Sequence, residues 1–359
     1  MLLNDMILDS LPEMQKLDQE GVYLSITSLP DQMRASWQGV QDMSLPPEYK
    51  LVRNVVVAGM GGSGLAARMV HSLFFNTLST PFEICNEYSL PNYVNENTLV
   101  ILSSYSGNTE ETISAAHEAQ SRGALIFGMA TGGKLAQFLK DEELPGYIYD
   151  PKYNPSGQPR MSLGYQTTAL ISLLSKLAIL QVRHEDMSLL IDKIAKLVHQ
   201  FEARTPANEN PAKLLAQKLK DKSPVFISSE HLFEVAHVNK NQMNENAKTF
   251  ALHFGIPELN HHLMEGLKFP ESAKHMLHFV FYNSKLYSDR VKLRYPITAE
   301  VIEKNGYQHS IYELQSTTKM EQAFELLILG SFLSFYLAIL YGINPSPIPW
   351  VDYFKEKLT

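Results

Sequence analysis

Two loops rich in glycine and hydroxyl residues constrain the fold of this chain more than any other feature. The first, Gly-Met-Gly-Gly-Ser-Gly at 59–64, follows a run of β-branched and aliphatic residues at 54–58. The second, Ser-Ser-Tyr-Ser-Gly-Asn-Thr-Glu-Glu-Thr at 103–112, follows a similar run at 98–102. Such runs are typical of buried parallel strands, and open α/β sheets bind ligands at the carboxyl ends of their strands. The pair therefore predicts a doubly wound parallel sheet with a ligand site at one edge.

The residue types in both loops suit a phosphate group. A helix is predicted to follow each loop, and the first backbone N–H groups of a helix, together with its dipole, attract an anion. Small hydroxyl side chains add hydrogen-bond donors without bulk. The predicted phosphate ligands are the hydroxyls of Ser63, Ser104, Ser106 and Thr109 and the backbone N–H groups of Gly61, Gly62 and Gly107.

The first loop also fits a dinucleotide-binding pattern. Gly59, Gly61 and Gly64 spell G-x-G-x-x-G, and Glu87 follows near the distance of a ribose-binding acid. A dinucleotide site does not require the hydroxyl cluster in the second loop, whereas a phosphate monoester does, so phosphate is favoured over NAD. The structural alternative for either loop is a tight turn with a helix cap.

Composition excludes several classes of protein. With 359 residues, 45% of them hydrophobic, the chain can bury a large core, and two domains are expected. A net charge of −7 without a basic cluster argues against nucleic acid as a partner. The single cysteine and the acidic, weakly apolar amino terminus predict a cytoplasmic protein. The apolar segment Ala323–Ile343 is predicted to be a buried helix rather than a membrane span.

Strands and helices alternate twice along the chain. The second series starts near Ser223 and lacks both phosphate loops, which predicts a degenerate duplication of one α/β unit. The predicted organisation is a helical amino-terminal segment at 1–50, a phosphate-binding α/β domain at 51–185, a helical linker at 186–220 and a second α/β domain at 221–359.

Several segments resemble a known family, the bifunctional phosphoglucose/phosphomannose isomerases, which carry two sugar isomerase (SIS) domains. The likeness covers the chain from about Asn54 to its last residue. Two departures stand out, since His262 replaces a usual Asn and Asn344 replaces a usual Asp. The segments that carry the resemblance are 59–64, 104–109, 157–160, 244–248, 257–261 and 336–355.

The resemblance implies a reaction and a role for each site residue. Glucose 6-phosphate, mannose 6-phosphate or both would be interconverted with fructose 6-phosphate through a cis-enediol. Glu245 would be the base that moves the proton, and Arg160 the cation that stabilises the enediol oxygens. His261 would open the sugar ring. Lys355, with Lys357 as the alternative, would assist ring opening or hold substrate hydroxyls.

The resemblance also implies a homodimer with its sites near the subunit contact, where His261 acts in its own or in the partner's site. No cofactor is needed for this chemistry. No metal is predicted either, because His261, His262 and Glu265 have no further ligand at a spacing typical of zinc. Two alternatives stay open: a non-catalytic sensor of phosphosugars, and an SIS isomerase for another sugar phosphate. The sequence does not decide between glucose and mannose, or what His262 does to substrate choice.

Overall fold

The computed structural model describes residues 7–358, which form two compact units. The first unit is Ser28–Ala195, and the second combines the described residues up to Thr27 with those from Lys196 onward. Each unit contains one parallel sheet with helices, which confirms the predicted fold class. The boundaries predicted near residues 50, 185 and 220 stay predictions.

The strands and helices of the described residues follow one another in the order expected of α/β domains. The strands are β1 (Asn54–Gly59), β2 (Phe82–Cys85), β3 (Thr98–Ser103), β4 (Leu125–Ala130), β5 (Gly146–Ile148), β6 (Ser223–Ser228), β7 (Leu252–Gly255), β8 (Leu277–Asn283) and β9 (Gln308–Glu313). The α-helices are α1 (Leu11–Leu17), α2 (Val22–Thr27), α3 (Leu29–Gln41), α4 (Gly61–Phe74), α5 (Glu110–Ser121), α6 (Gly133–Asp141), α7 (Leu163–Lys176), α8 (His184–Phe201), α9 (Pro211–Leu219), α10 (Phe233–Asn246), α11 (Ala273–Met276), α12 (Asp289–Lys304), α13 (Lys319–Leu340) and α14 (Pro349–Leu358).

The first unit has a five-stranded sheet in the order β2-β1-β3-β4-β5, with every pair parallel. The chain runs from β1 outward to β2 and then returns to β3 on the other side of β1. Such a reversal is a topological switch point, where the loops after the two central strands diverge and leave a crevice. The two glycine- and hydroxyl-rich loops follow β1 and β3, so both lie at this switch point.

The second unit repeats this topology with four strands in the order β7-β6-β8-β9, all parallel. Here β6 corresponds to β1 and β8 to β3, which agrees with the predicted duplication. The edge strands β5 and β7 were not predicted from the sequence, because each has only three or four residues and no sustained apolar run. The helix predicted to follow the first loop begins inside it, at Gly61, so the loop glycines form its first turn.

The amino-terminal helices divide between the two units. In α3, Met33, Trp37 and Val40 are buried and the helix packs along α7. The preceding helix α2 belongs to the second unit, where the N–H of Ala203 donates to the hydroxyl of Tyr23 at 3.2 Å. The boundary between the units therefore falls inside the predicted amino-terminal helical segment.

The long helix α13 is the apolar segment of the sequence. It is long and apolar enough to cross a membrane, yet Glu321–Leu340 is buried throughout, which confirms the predicted buried helix. Its small residues face α10. A Cβ on Gly330 would lie 1.9 Å from Oδ1 of Asn239, and the hydroxyl of Ser331 donates to Oε1 of Gln242 at 3.1 Å. Small side chains thus let the two helix backbones approach closely.

The helix α13 carries a buried carboxylate, Glu325, whose oxygens accept several hydrogen bonds. Glu325 has no exposed surface, and its oxygens accept hydrogen bonds from the backbone N–H groups of Gln315 at 2.9 Å and Ser316 at 2.8 Å. The hydroxyl of Tyr312 donates to it at 2.9 Å. A buried charge needs such partners, and Glu325 therefore fixes the chain between β9 and α13.

Candidate active site

The two loops at the switch point of the first unit are bonded to each other through Ser63. This residue lies in the first turn of α4, and its hydroxyl accepts the N–H of Tyr105 at 2.8 Å. In return, the hydroxyl of Ser103 donates to the carbonyl of Ser63 at 2.8 Å. Within the second loop, the hydroxyls of Ser104 and Thr109 lie 2.8 Å apart. The hydroxyl residues therefore hold the loop structure together as well as offering donors.

A third loop, after β4, supports the second one. Gly107 has a φ of +71°, and a Cβ there would lie 1.8 Å from the carbonyl oxygen of Gly132. The carbonyl of Gly107 accepts the N–H of Leu135 at 2.9 Å, and Oδ1 of Asn108 accepts the N–H of Lys134 at 3.1 Å. In the sequence, the signal for this third loop is the pair of adjacent glycines at 132 and 133.

The segment that carries Arg160 packs directly against the first loop. A Cβ on Gly62 would lie 2.9 Å from the backbone nitrogen of Arg160 and 2.9 Å from Cβ of Pro159, which is too close for any side chain. Arg160 has no exposed surface, and its guanidinium donates to Oε1 of Gln158 at 2.7 Å. The structure thus brings the predicted enediol-stabilising cation beside the predicted phosphate loop.

The Arg160 segment is also fixed to the second loop. The side chain of Asn154 donates to the hydroxyl of Tyr105 at 3.0 Å and to the carbonyl of Gln158 at 3.0 Å. Burial raises the pKa of Tyr105, so its hydroxyl stays protonated. Gln32 of α3 holds the segment from the other side, donating to the carbonyl of Met161 at 3.0 Å. Sequence reasoning missed Asn154 and Tyr105, because their pairing depends on the fold.

The predicted phosphate ligands differ in exposure. They all lie in the loops after β1 and β3 or in the first turns that follow, as predicted, but their roles stay predictions. Gly61 and Ser106 are exposed, Gly62 and Thr109 are half-buried, and Ser63, Ser104 and Gly107 are buried.

In the second unit, Glu245 lies in the last turn of α10 between two anchored asparagines. Oδ1 of Asn244 accepts the N–H of Ala251 at 3.0 Å. The side chain of Asn246 donates to the hydroxyl of Ser334, in α13, at 3.0 Å. Glu245 itself is half-buried. Fixed neighbours on both sides suit a residue whose carboxylate must be held in one direction.

Lys248 follows Glu245 by three residues but does not belong to the same helix. The helix ends at Asn246 with Ala247 as its cap, and Lys248 follows with a φ of +53°. The chain turns here because its next residues lead into the edge strand β7. Lys248 therefore lies outside the helix, against the carbonyls of its last turn.

The predicted ring-opening residues lie on two other elements of the second unit. His261 ends a short 3₁₀ helix, Glu258–His261, and is exposed. Asn260 fixes that turn by donating to the hydroxyl of Thr298 at 2.8 Å. Lys355 lies in the solvent-exposed helix α14. Glu245, His261 and Lys355 thus stand on three separate elements, and their roles stay predictions.

The second unit has a buried polar cluster where the first has its phosphate loops. After β6, the hydroxyl of Ser229 donates to the carbonyl of Ile256 at 2.7 Å. Nε2 of His231 lies 2.9 Å from Oε1 of Gln322, which also accepts the hydroxyl of Ser284 at 2.6 Å. Burial lowers the pKa of His231 to about 4. A neutral, buried histidine therefore follows β6, whereas the loop after β1 in the first unit is rich in glycine.

Within residues 7–358, no group of three or more histidine, cysteine, aspartate or glutamate side chains is placed to hold a metal ion. The ring of His262 instead packs at a tilt on Phe254, with 6.2 Å between centroids. Asn344 also has local partners, since its amide donates to Glu20 at 2.8 Å and its oxygen accepts the N–H of Ser346 at 3.0 Å. An aspartate at position 344 would set a second carboxylate against Glu20, which accounts for asparagine there.

Family models and sequence relatives match most of the chain. The family model described as the bacterial phospho-glucose isomerase C-terminal SIS domain matches residues 208–358, and the SIS domain model matches residues 49–137. The bifunctional phosphoglucose/phosphomannose isomerase of Caldicellulosiruptor bescii is 31% identical over 341 residues, which are 94% of this chain and 98% of that protein. The protein of the same name from Thermoplasma acidophilum is 30% identical over 308 residues, 85% of this chain and 90% of that protein.

Solved structures share the fold. A hypothetical protein from Thermus thermophilus, TT0462, superposes with a TM-score of 0.75 over 99% of this chain and 92% of that chain, at 14% sequence identity. That likeness concerns the fold alone, whereas the sequence relatives define the family. The chain belongs to the bifunctional phosphoglucose/phosphomannose isomerases, a family of sugar-phosphate isomerases with two SIS domains.

Proposed function

We propose that this chain interconverts fructose 6-phosphate with glucose 6-phosphate, mannose 6-phosphate or both. The observation that carries the proposal is the pair of hydroxyl-rich loops at the switch point of the first unit, with Arg160 packed behind Gly62. A phosphate monoester fits donors of this kind. The names of the family relatives support a hexose 6-phosphate as the rest of the ligand.

The phosphate would be held by hydroxyls and by the first N–H groups of two helices. α4 begins at Gly61 and α5 begins at Glu110, so the amino end of each helix lies beside a loop. The first N–H groups of a helix have no acceptor within the helix and are free to bind an anion. The proposed ligands are the hydroxyls of Ser63, Ser104, Ser106 and Thr109 and the N–H groups of Gly61 and Gly62. Gly107 was also predicted as a donor, but its N–H already donates to the carbonyl of Ser104 at 3.1 Å within the second loop.

Glu245 would be the base that transfers the proton. Its carboxylate takes a proton from the carbon beside the carbonyl, and the C–H electron pair forms the double bond of a cis-enediol while the carbonyl oxygen gains a proton. Glu245 then delivers its proton, partly exchanged with solvent, to the neighbouring carbon. The hydroxyl on the first carbon loses a proton as the new carbonyl forms there, which balances the proton that the old carbonyl oxygen gained. Arg160 stabilises the negative charge that develops on the enediol oxygens, and a fixed cation lowers such a barrier most where water is excluded.

His261 would exchange protons with the ring oxygen and the anomeric hydroxyl during ring opening, and Lys355 or Lys357 would assist it. No cofactor enters this scheme, because no electrons leave the substrate. Glucose and mannose phosphates differ only at the carbon that becomes planar in the enediol. One base and one pocket therefore suffice for both sugars.

The decisive assay supplies fructose 6-phosphate to the purified protein and quantifies glucose 6-phosphate and mannose 6-phosphate separately. We expect at least one of them to form, with deuterium from heavy water at the carbon beside the carbonyl. A folded protein that binds fructose 6-phosphate and forms neither product would instead be a phosphosugar sensor. Activity on another sugar phosphate alone would identify an isomerase of different specificity.

We also propose that the protein is a cytoplasmic homodimer in which His261 serves the partner's site. Light scattering after size exclusion measures the mass of the assembly. His261→Ala and Glu245→Gln subunits, each inactive alone, should recover part of the activity when mixed, because hybrid dimers contain sites with both residues intact. Verified subunit exchange without recovery would assign His261 to its own subunit.

A further inference from the structure

Lys248 has an unusual backbone conformation directly after the helix that carries Glu245. Its φ of +53° lies in the left-handed region, which is unfavourable for a residue with a Cβ and common for glycine. Glycine is the usual residue at this position after a helix, because it ends the helix without strain. The contacts of the lysine side chain explain why this residue occupies the position.

The ammonium of Lys248 binds backbone carbonyls from two separate segments. Nζ lies 2.9 Å from the carbonyl oxygen of Glu245 and 3.2 Å from that of Asn246, both in the last turn of α10. It also lies 3.2 Å from the carbonyl oxygen of Asn344 and 3.0 Å from that of Pro345. An ammonium has three N–H donors, so these four acceptors use it fully.

The two segments carry different parts of the proposed chemistry. Glu245 and Asn246 are the end of α10, where a positive charge is favoured by the helix dipole. Residues 344 and 345 lead into α14, which begins at Pro349 and carries Lys355. Lys248 therefore joins the turn that holds the proposed base to the segment before the helix that holds the proposed lysine.

We propose that Lys248 is a positioning residue of the isomerase, which fixes the direction of the Glu245 carboxylate and anchors the start of α14 through backbone carbonyls. The inference rests on the proposed function, because the direction of Glu245 matters for catalysis only if this residue is the base. Lys248 does not act on the substrate itself. Its role adds to the side-chain anchors that Asn244 and Asn246 provide on either side of Glu245.

The test uses the full-length protein with Lys248→Gly. Glycine accepts the left-handed backbone and removes the exposed side chain together with its ammonium, so the variant is expected to fold. A misplacement of about 1 Å at a reacting group costs about 10²-fold in rate, so we expect kcat to fall by about 10-fold to 100-fold. The KM for fructose 6-phosphate should change little, because the phosphate ligands lie in other loops. Lys248→Arg, which keeps a cation with several donors, should recover part of kcat.

Asp221→Gly is the matched control. Asp221 also has a left-handed backbone, with a φ of +61°, and lies outside the catalytic machinery. This variant should keep the wild-type kcat. A Lys248→Gly protein with wild-type kcat, or one whose kcat and KM change together with its thermal stability, would overturn the positioning role.

Hydrogen exchange tests the same contact without any substrate. In Lys248→Gly, amides around 247–252 and in α14 should exchange faster than in the wild type, while those of the first unit should be unchanged. If Lys248→Gly exchanges faster as expected but the wild type isomerises no sugar, the proposed function fails and the contact stands. Unchanged exchange in Lys248→Gly would overturn the contact even in an active enzyme.

Discussion

At the scale of single residues, several hydroxyls and amides in the candidate site hold other groups in place. Ser63 accepts the N–H of Tyr105, Ser104 pairs with Thr109, and Asn246 donates to Ser334. These bonds fix the loops and the end of α10 before any ligand arrives. Preorganised donors suffer little reorganisation during a reaction, which is where electrostatic catalysis gains most.

The first prediction concerns Glu245→Gln. The substitution keeps the shape of the side chain and removes its basicity, and loss of a positioned base costs about 10²- to 10⁴-fold in rate. Isomerisation of glucose and mannose phosphates should fall by similar factors, while affinity for a phosphorylated competitive inhibitor should hold, as measured by calorimetry. Glu303→Gln, on the exposed side of α12, is the control. Near-normal turnover in folded Glu245→Gln would refute the assignment.

At the scale of elements, the contact between the first loop and the Arg160 segment depends on glycine. We predict that Gly62→Ala lowers kcat/KM for fructose 6-phosphate by about 10- to 100-fold, because its Cβ displaces Arg160 and Pro159 from 2.9 Å contacts. Steady-state kinetics and a calorimetric titration with inhibitor would measure it. Gly266→Ala, where an added Cβ meets no atom within 4 Å, should leave both measurements unchanged. Equal kinetics for the two variants would show that the segments do not need this close approach.

The packing of α13 on α10 gives a prediction of stability. In Gly330→Ala the new Cβ would lie 1.9 Å from Oδ1 of Asn239, whose side chain is itself buried. Overpacking of this kind costs about 1–3 kcal/mol in the free energy of unfolding. Urea denaturation should show this loss despite the higher helix propensity of alanine. Greater stability in Gly330→Ala would mean that α10 and α13 separate more easily than their contacts suggest.

At the scale of the whole molecule, the two units share one sheet topology but differ in the residues at its switch point. The first unit keeps short, glycine-rich loops at its switch point, whereas the second fills the equivalent place with His231, Gln322 and Ser284. The second unit instead carries the residues proposed to move protons. The proposed function thus assigns each chain one set of phosphate loops, in the first unit, and one set of acid–base residues, in the second.

The buried histidine makes stability depend on pH. Burial lowers the pKa of His231 to about 4, below the value near 6.5 that an unfolded chain has. Above pH 6.5 both states are neutral and the residue contributes nothing. As the pH falls from 6.5 to 4, the unfolded state binds the proton first, so the free energy of unfolding decreases, by about 2 kcal/mol at pH 5.

His231→Gln removes this titration and keeps a donor for Gln322. Between pH 7.5 and pH 5, the free energy of unfolding of the variant should fall by about 2 kcal/mol less than that of the wild type. Urea denaturation at the two pH values measures this difference. His278, whose pKa burial also lowers to about 4, remains in both proteins and cancels in the comparison. If the free energies of unfolding of the two proteins depend on pH in the same way, His231 takes up a proton as readily in the folded state as in the unfolded state.

The sequence by itself determined the fold class, the two sheets, most strands and helices, and the loops where phosphate is expected. These features follow from local patterns: apolar runs for β1, β3, β6 and β8, glycines after β1 and β3, and an apolar helix at α13. The family can also be recognised from short segments such as 244–248, because the order of residues in a segment is read directly from the sequence. Short edge strands escaped prediction, since β5 and β7 exist mainly through pairing with a neighbour.

Only the tertiary structure decided which residues of the candidate site contact one another. The packing of Arg160 against Gly62, the bond from Asn154 to Tyr105 and the reach of Lys248 to Pro345 join residues 49 to 98 positions apart. Such contacts depend on the path of the chain between them, which no local pattern encodes. The sequence marks Lys248 as a charged residue near a helix end, and the fold makes it an anchor, because its backbone turns left-handed and directs the ammonium at four carbonyls.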